Sequence, residues 1–277
     1  MKIKKNIISN TLIYSLLIII TLVVIIPLII TIFASFKTLK ELGSDFPLKP
    51  PDFANLENYI KMFKRGNIPL GFINSMILVF VSVILNTTLA SMVSYCLSRF
   101  DFKLKRFFFL VFMVGMLVPA IVTEVARFGI IKSLGIYNTL LAPIVIYAAA
   151  DMMQIYIYLQ FMNKIPVSLD ESAMMDGASY FKIFWRIIFP LVLPASATVA
   201  ILKMVNIIND MYIPYLYMPS AKLHTLTTAL MFFTGERNTF WNILSSGVII
   251  VMLPAFILYV VFQKFIFKGI TLGAVKE

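Results

Sequence analysis

The sequence predicts an all-α integral membrane protein with six spans, and three observations predict it. Of its 277 residues 60% are hydrophobic and 13% charged, with a mean hydropathy of +0.92, a balance no water-facing surface carries. Six apolar runs each reach the roughly 20 residues needed to cross ~30 Å of hydrocarbon at ~1.5 Å per residue. Basic residues gather in one short connection and are missing from another, which gives the chain a direction across the bilayer.

The first span, Thr11–Phe36, follows the basic start Lys2, Lys4, Lys5. A cleaved signal peptide also begins this way. The apolar run from Ile13 to Phe33 outruns a signal core of ~7–15 residues and no small-x-small site ends it, so we read a helix that starts in the cytoplasm. Next, Asp45–Phe53 holds Pro47, Pro50 and Pro51 and is read as extended chain outside the membrane. Leu56–Phe63 is patterned as a short amphipathic helix.

The second span is Gly71–Leu97. The connection after it, Arg99–Arg106, carries four basic residues and one acid, which places it inside. Phe107–Ile131 is the third span, and the uncharged Ser133–Thr139 that follows is outside. Leu140–Phe161, Ile187–Ile208 and Ile243–Phe267 complete the six, and both termini then lie in the cytoplasm, as Lys264, Lys268 and Lys276 suggest. One count runs against this: the outer segment Lys37–Leu70 has six basic residues and four acidic ones. The second outer stretch, Asn209–Asn242, is broken by Pro214, Pro219 and Gly235. Its apolar run Leu226–Phe233 is too short to cross and is either re-entrant or surface-lying.

The net charge of +11 fits basic residues at span ends facing anionic headgroups of membrane lipids and calls for no nucleic acid. Cys96, the single cysteine, is expected as a small buried side chain of the second span and has no disulfide partner within the chain. With His224 the single histidine, the usual zinc ligands are too few for a metal cluster.

The inside segment 164–186 is polar and sharply punctuated. Ile165-Pro166 stops the fourth span, and Ser168 and Glu171 have the spacing of a capping box that starts a new helix. Gly177 stands where a left-handed residue closes that helix, and Ser179 caps a second one from Tyr180. Phe181, Phe184, Trp185 and Ile188 then share one face at i, i+3, i+4 and i+7. Taken singly these residues describe a helical hairpin joining two spans. Taken together, Glu171-Ser172-Ala173, three residues, Gly177, nine residues, then Ile187-x-Phe189-Pro190 resemble the cytoplasmic loop signature of ATP-binding-cassette (ABC) import permeases, Glu-Ala-Ala, Gly and Ile-x-Leu-Pro. Ser172 replaces an alanine and Phe189 the leucine, with the spacing intact.

The resemblance covers most of the chain and narrows to carbohydrate uptake, specifically to the second permease of maltose-type importers. Asn58-Tyr59, Asn74-Ser75, Ser94–Phe100, Asp176–Ser179 and the ending Gly269–Lys276 carry it. It implies a type I importer permease in a prokaryotic cell membrane, paired with a second permease, two cytoplasmic ATPase subunits and an extracytoplasmic sugar-binding protein. It also implies that the loop with Glu171, Ser172, Ala173, Asp176, Gly177, Ile187 and Pro190 docks to the ATPase, with Glu171 meeting a basic group and Ala173 a close contact. The chain has no Gly-x-x-x-x-Gly-Lys-Ser/Thr loop, so ATP and Mg belong to the partner subunits and the chain itself holds no cofactor.

Ionisable groups inside spans cost at least ~2.5–3.5 kcal/mol, which makes Glu124 and Asp151 the first candidates for a substrate path. Pro119 opens the helix ahead of Glu124, and Arg127 stands close enough to form an ion pair that either holds the bundle together or lines a cavity. Tyr147, Asp151 and Gln154 fall on one helical stripe, while Asn206, Asn209 and Asp210 gather at the outer end of the fifth span. Asn209 is taken with the two carboxylates as a wall residue. Three other readings stand beside this one: an importer permease for a solute other than sugar, a proton-coupled secondary transporter using Glu124 and Asp151, and a membrane-embedded enzyme. No inverted repeat supports the second, and no nucleophile or metal constellation supports the third.

Overall fold

A computed structural model describes the backbone over 2–234 and 240–274 and the side chains over 12–234 and 240–261. The side chains of Lys2, Lys4, Lys5, Lys264 and Lys268 and of the ending Gly269–Lys276 lie outside what the structure describes. Every regular element described is helical: α1 Lys2–Phe36, α2 Leu39–Ser44, α3 Glu57–Arg65, α4 Ile68–Arg99, α5 Lys105–Leu117, α6 Ala120–Ser133, α7 Leu141–Ala148, α8 Met152–Met162, α9 Ser168–Met175 and α10 Tyr180–Ile183. A π-turn Phe184–Ile188 follows, then α11 Phe189–Leu191, α12 Leu193–Asn209, α13 Tyr212–Tyr217, α14 Leu226–Ala229 and α15 Trp241–Ala274, with 3-10 turns at Ala221–Leu223 and Leu230–Phe233.

Stretches of α1, α4 and α15 are each long and apolar enough to cross a membrane unbroken. The other three apolar runs are not straight helices. The expected third, fourth and fifth spans break into α5 with α6, α7 with α8, and the segment Tyr180–Leu191 with α12, bent by 109°, 47° and 76°. Each pair passes the same length and composition test when taken together. Proline causes the first bend: Val118, forced out of the helical region by Pro119, sits at φ −80°, ψ 118°. Pro190 and Pro194 flank the third bend, and neither has an N–H for the helical ladder around Val192.

The second break, at Ala149 and Ala150, has no proline. It holds because its freed backbone groups find partners, a condition that hydrocarbon imposes strictly. Asp151 accepts from the Gln154 N–H at 3.0 Å while Gln154 accepts from the Asp151 N–H at 3.1 Å, a reciprocal cap that starts α8. Asn86, fully buried on α4, turns its amide NH2 toward the carbonyls that α7 leaves open, at 2.8 Å from Ala149 and 3.2 Å from Tyr147. The expected stripe of Tyr147, Asp151 and Gln154 therefore does not exist as one helix face.

The chain packs as two compact units, Met1–Pro69 with Ala229–Leu253, and Leu70–Thr228 with Pro254–Glu277. In the first, α1 shows its apolar side chains outward over Leu12–Leu28, as a lipid-facing helix does. Its last carbonyls are taken up by Asn58 of α3, whose amide donates to Ser35 and Lys37 at 2.9 Å each. Asn242 donates to the Asn58 carbonyl at 2.8 Å, and Ser35 shares a hydrogen bond with Tyr59. The second unit holds two apolar cores. One gathers Leu78, Val83, Ile131, Ile144, Ile207 and Tyr217, and the other Tyr95, Tyr158, Met162, Phe184, Ile188 and Val199. Cys96 is exposed, not buried as expected: it faces out from α4 while its neighbours Tyr95 and Leu97 turn inward.

Candidate docking hairpin and membrane cavity

The hairpin starts one residue ahead of its expected cap. Val167 is the N-cap of α9, with no side-chain hydrogen bond, so the Ser168–Glu171 capping box does not form. Ser168 is already helical and its carbonyl accepts from the Ser172 hydroxyl at 2.8 Å. That leaves the Glu171 carboxylate exposed and free of the role of cap.

The far end follows the sequence reading closely. Gly177 has φ +77°, its N–H donates to the Met174 carbonyl at 3.0 Å, and the Ala178 N–H reaches the Ala173 carbonyl at 3.0 Å. This crossed pair is the left-handed glycine stop of a helix. Asp176 is the C-cap residue before it, and Ser179 accepts from the Lys182 N–H at 3.4 Å to start α10. The α10 helix then widens, with the Phe189 N–H donating to Phe184 five residues back. The wide turn buries Ile183, Phe184 and Ile188 together and leaves Phe181 67% exposed, so the simple stripe expected from Phe181 to Ile188 is not the buried one. Ile187 is half-buried and Pro190 exposed.

What fixes the hairpin is a pair of residues that the motif does not contain. Arg99, the last residue of α4, lies with its Nε 3.0 Å from Asp170 Oδ2, and the two side chains are 7% and 5% exposed. The Arg99 Nη2 also donates to the Ile165 carbonyl at 2.9 Å, and Tyr95, one turn earlier on α4, donates to Asp170 Oδ1 at 3.2 Å. Asp170 and Ala173 thus form the inner face of α9, with Ala173 packed in the same core as Tyr95 and Phe184. Ala173, expected to meet a partner, is 8% exposed and packs against its own chain. Glu171, Ser172, Met175, Asp176 and Gly177 are the outward residues, and Met175 is 89% exposed.

Beside the bend between α5 and α6 and the break between α7 and α8 lies a cavity of ≈ 910 Å³. Glu124 and Asp151 stand on its wall; Asn209 does not, and its side chain is exposed with the amide donating to Val205. The wall also carries Arg127, Tyr147, Lys203, Asp210 and Tyr212. Arg127 pairs with Glu124 Oε2, and Tyr217 donates to Glu124 Oε1 at 2.6 Å. Burial, reinforced by the Glu124 carboxylate, pushes the Tyr217 phenol up and keeps it a donor. Tyr147 donates to Asp210 at 2.8 Å, and the other Asp210 oxygen accepts the Tyr212 and Ile213 N–H groups.

Lys203 and Asp151 face this cavity with no carboxylate–ammonium contact within 4 Å among the described residues. The sequence offered a signal for Lys203 that went unused: a lysine within an expected span is as costly as a carboxylate there. For Asp170 there was none, since its partner is 71 positions earlier in the chain.

Residues 87–272 match the family model described as "Binding-protein-dependent transport system inner membrane component". Among curated proteins, the chain is 31% identical to the melibiose/raffinose/stachyose import permease protein MelC of Bacillus subtilis over 97% of each chain. It is 31% identical to the probable starch degradation products transport system permease protein AmyC of Thermoanaerobacterium thermosulfurigenes over 94% of each. Its fold is similar to that of a chain in the crystal structure of a bacterial ABC transporter involved in the import of the acidic polysaccharide alginate, with a TM-score of 0.79 at 21% identity, covering 93% of this chain and 96% of that one. The chain therefore belongs to the family of binding-protein-dependent transport system inner membrane components, the permeases of ABC transporters.

Proposed function

We propose that this chain is the permease subunit of an ATP-driven, binding-protein-dependent importer of oligosaccharides. Its six spans, 11–36, 71–97, 107–131, 140–161, 187–208 and 243–267, form half of a path completed by a second permease, with both termini in the cytoplasm. Two cytoplasmic ATPase subunits bind ATP and Mg and grip the 168–190 hairpin. ATP binding draws the hairpins together and rocks the two bundles from inward- to outward-open, and an extracytoplasmic binding protein delivers the sugar.

The observation that carries this reading is the hairpin's two-sided build. Its inner face is tied to α4 by Arg99 and Asp170, so a push on the outer face moves the membrane helix with it. Its outer face leaves Glu171, Met175 and Gly177 uncovered for a partner. The relatives named as permeases for melibiose, raffinose, stachyose and starch products support the sugar class. A cavity wall of tyrosines with separated carboxylates and a lysine suits polyols, which offer apolar ring faces and many hydroxyls. Glu124, Asp151 and Lys203 are the wall residues we assign to the path.

The test is uptake of radiolabelled raffinose and maltotriose into vesicles holding the chain with its co-expressed subunits. ATP-dependent uptake that stops when the ATPase subunit is left out is the expected result. Uptake that persists without the ATPase and collapses with the proton gradient would overturn the proposal in favour of a secondary transporter.

A further inference from the structure

A second cavity, of ≈ 850 Å³, lies at the hairpin end of the second unit, away from the cavity described above. Its walls come from the end of α4, the Asp101–Lys103 connection, the start of α5 and the end of α8. Two chemistries meet in it. Lys103, Lys105 and Arg106 stand at one end, and Phe109, Leu110 and Met113 at the other.

On α5 this is one continuous stripe. Positions 105, 106, 109, 110 and 113 recur at helical spacing, so the stripe turns from cationic to apolar over roughly 10 Å along the axis. Asp101 also lines the cavity, yet none of the three cations has a carboxylate within 4 Å among the described residues. Ser98 and Asn163, which bond each other at 3.3 Å, add neutral donors to the wall. A charge cluster left unneutralised beside exposed apolar side chains, Leu110 at 56% and Met113 at 46%, wants a ligand with both properties.

We propose that this cavity binds one anionic phospholipid, its phosphate held by Lys103, Lys105 and Arg106 and one acyl chain lying along Phe109, Leu110 and Met113. The phosphate neutralises charge that the chain leaves unpaired. The acyl chain covers the stripe below, which a free phosphate or a nucleotide leaves open. Because the groove is walled by α8 and by the end of α4, the lipid bridges the two helices that lead into and brace the hairpin.

The experiment is native mass spectrometry of the full chain in mild detergent, titrated with phosphatidylglycerol, with phosphatidylcholine of the same acyl chains, and with glycerol 3-phosphate. The expected result is retention of one phosphatidylglycerol in preference to phosphatidylcholine. The triple variant K103Q/K105Q/R106Q should lower that retention about tenfold or more, and L110N should weaken it several-fold. The charge-preserving K103R/K105R/R106K should keep the lipid, which separates loss of charge from loss of fold. Equal retention of the two lipids, or no change in the triple variant, would overturn the proposal. Glycerol 3-phosphate binding as tight as phosphatidylglycerol would also overturn it, by making the site a phosphate site without a lipid. None of these readouts depends on transport, so failure here leaves the importer reading untouched.

Discussion

Arg99 closes α4 with its guanidinium 3.0 Å from the carboxylate of Asp170, and both side chains are more than nine-tenths out of water. The contact joins residues 71 positions apart and makes α9 a lateral extension of the second membrane helix. A buried pair of this kind contributes little net stability against an apolar replacement, yet removing one partner strands the other charge.

Asp170→Ala is therefore expected to destabilise the protein by about 3–5 kcal/mol, because Arg99 keeps its charge in a site that no longer balances it. Thermal unfolding of the purified chain checks this. The double variant Arg99→Met with Asp170→Leu should regain most of the unfolding temperature while transport stays impaired, since the Ile165 carbonyl there loses its hydrogen bond from Arg99.

At Gly177 the expected cost is conformational. A Cβ there meets nothing within 4 Å, so Gly177→Ala should lose only roughly 1 kcal/mol for the left-handed φ. Gly177→Asp should insert into the membrane as the parent does but place a charged side chain on the outward face. ATP hydrolysis measured beside uptake in vesicles should then show turnover without transport, and normal transport by this variant would remove the case for docking at that face.

Asn86→Leu should lower stability by about 1–3 kcal/mol, as the carbonyls ending α7 lose their donor in a place without water. Asn86→Gln, with the same amide on a longer arm, should not restore it. Thermal unfolding in one detergent, with matched expression levels, decides both.

His224, outside the spans, has its basicity lowered by burial from the usual 6.5, and a hydrogen bond with the Thr228 backbone partly offsets this. The folded chain thus holds the proton less readily than the unfolded chain. Stability from this group is complete above the ordinary value and is lost as pH falls through it toward the lower folded value. Unfolding temperatures between about pH 7 and pH 5 should drop more for the parent than for His224→Gln.

The hairpin was the most legible part of the chain, because its signals are local. A glycine that must turn left-handed and a serine that caps the next helix act within a few residues, and Gly177 and Ser179 do what their positions suggest. The three broken spans were less legible. Pro119 and Pro194 mark two of them, but the break before Asp151 depends on Asn86, 63 residues from Ala149, and no local pattern announces such a donor. The expected capping box is absent because the helix starts one residue early, at Val167, with Ser168 already inside it. Lys203 was readable and was passed over, whereas Asn209 was named for its position at a span end and does not line the cavity.

The wide turn Phe184–Ile188 makes the interval between Gly177 and Pro190 a matter of winding as much as of length. Deleting one residue inside it would let the segment rewind as ordinary α-helix with the side chains downstream near their present bearing, because a turn closed five residues back already takes up one residue more than the helix needs. A deletion in the ordinary helix beyond it would instead swing every later side chain by about 100° around the axis. The wide turn is thus where this segment can give up a link while Pro190 and the start of α12 keep their side toward the bundle.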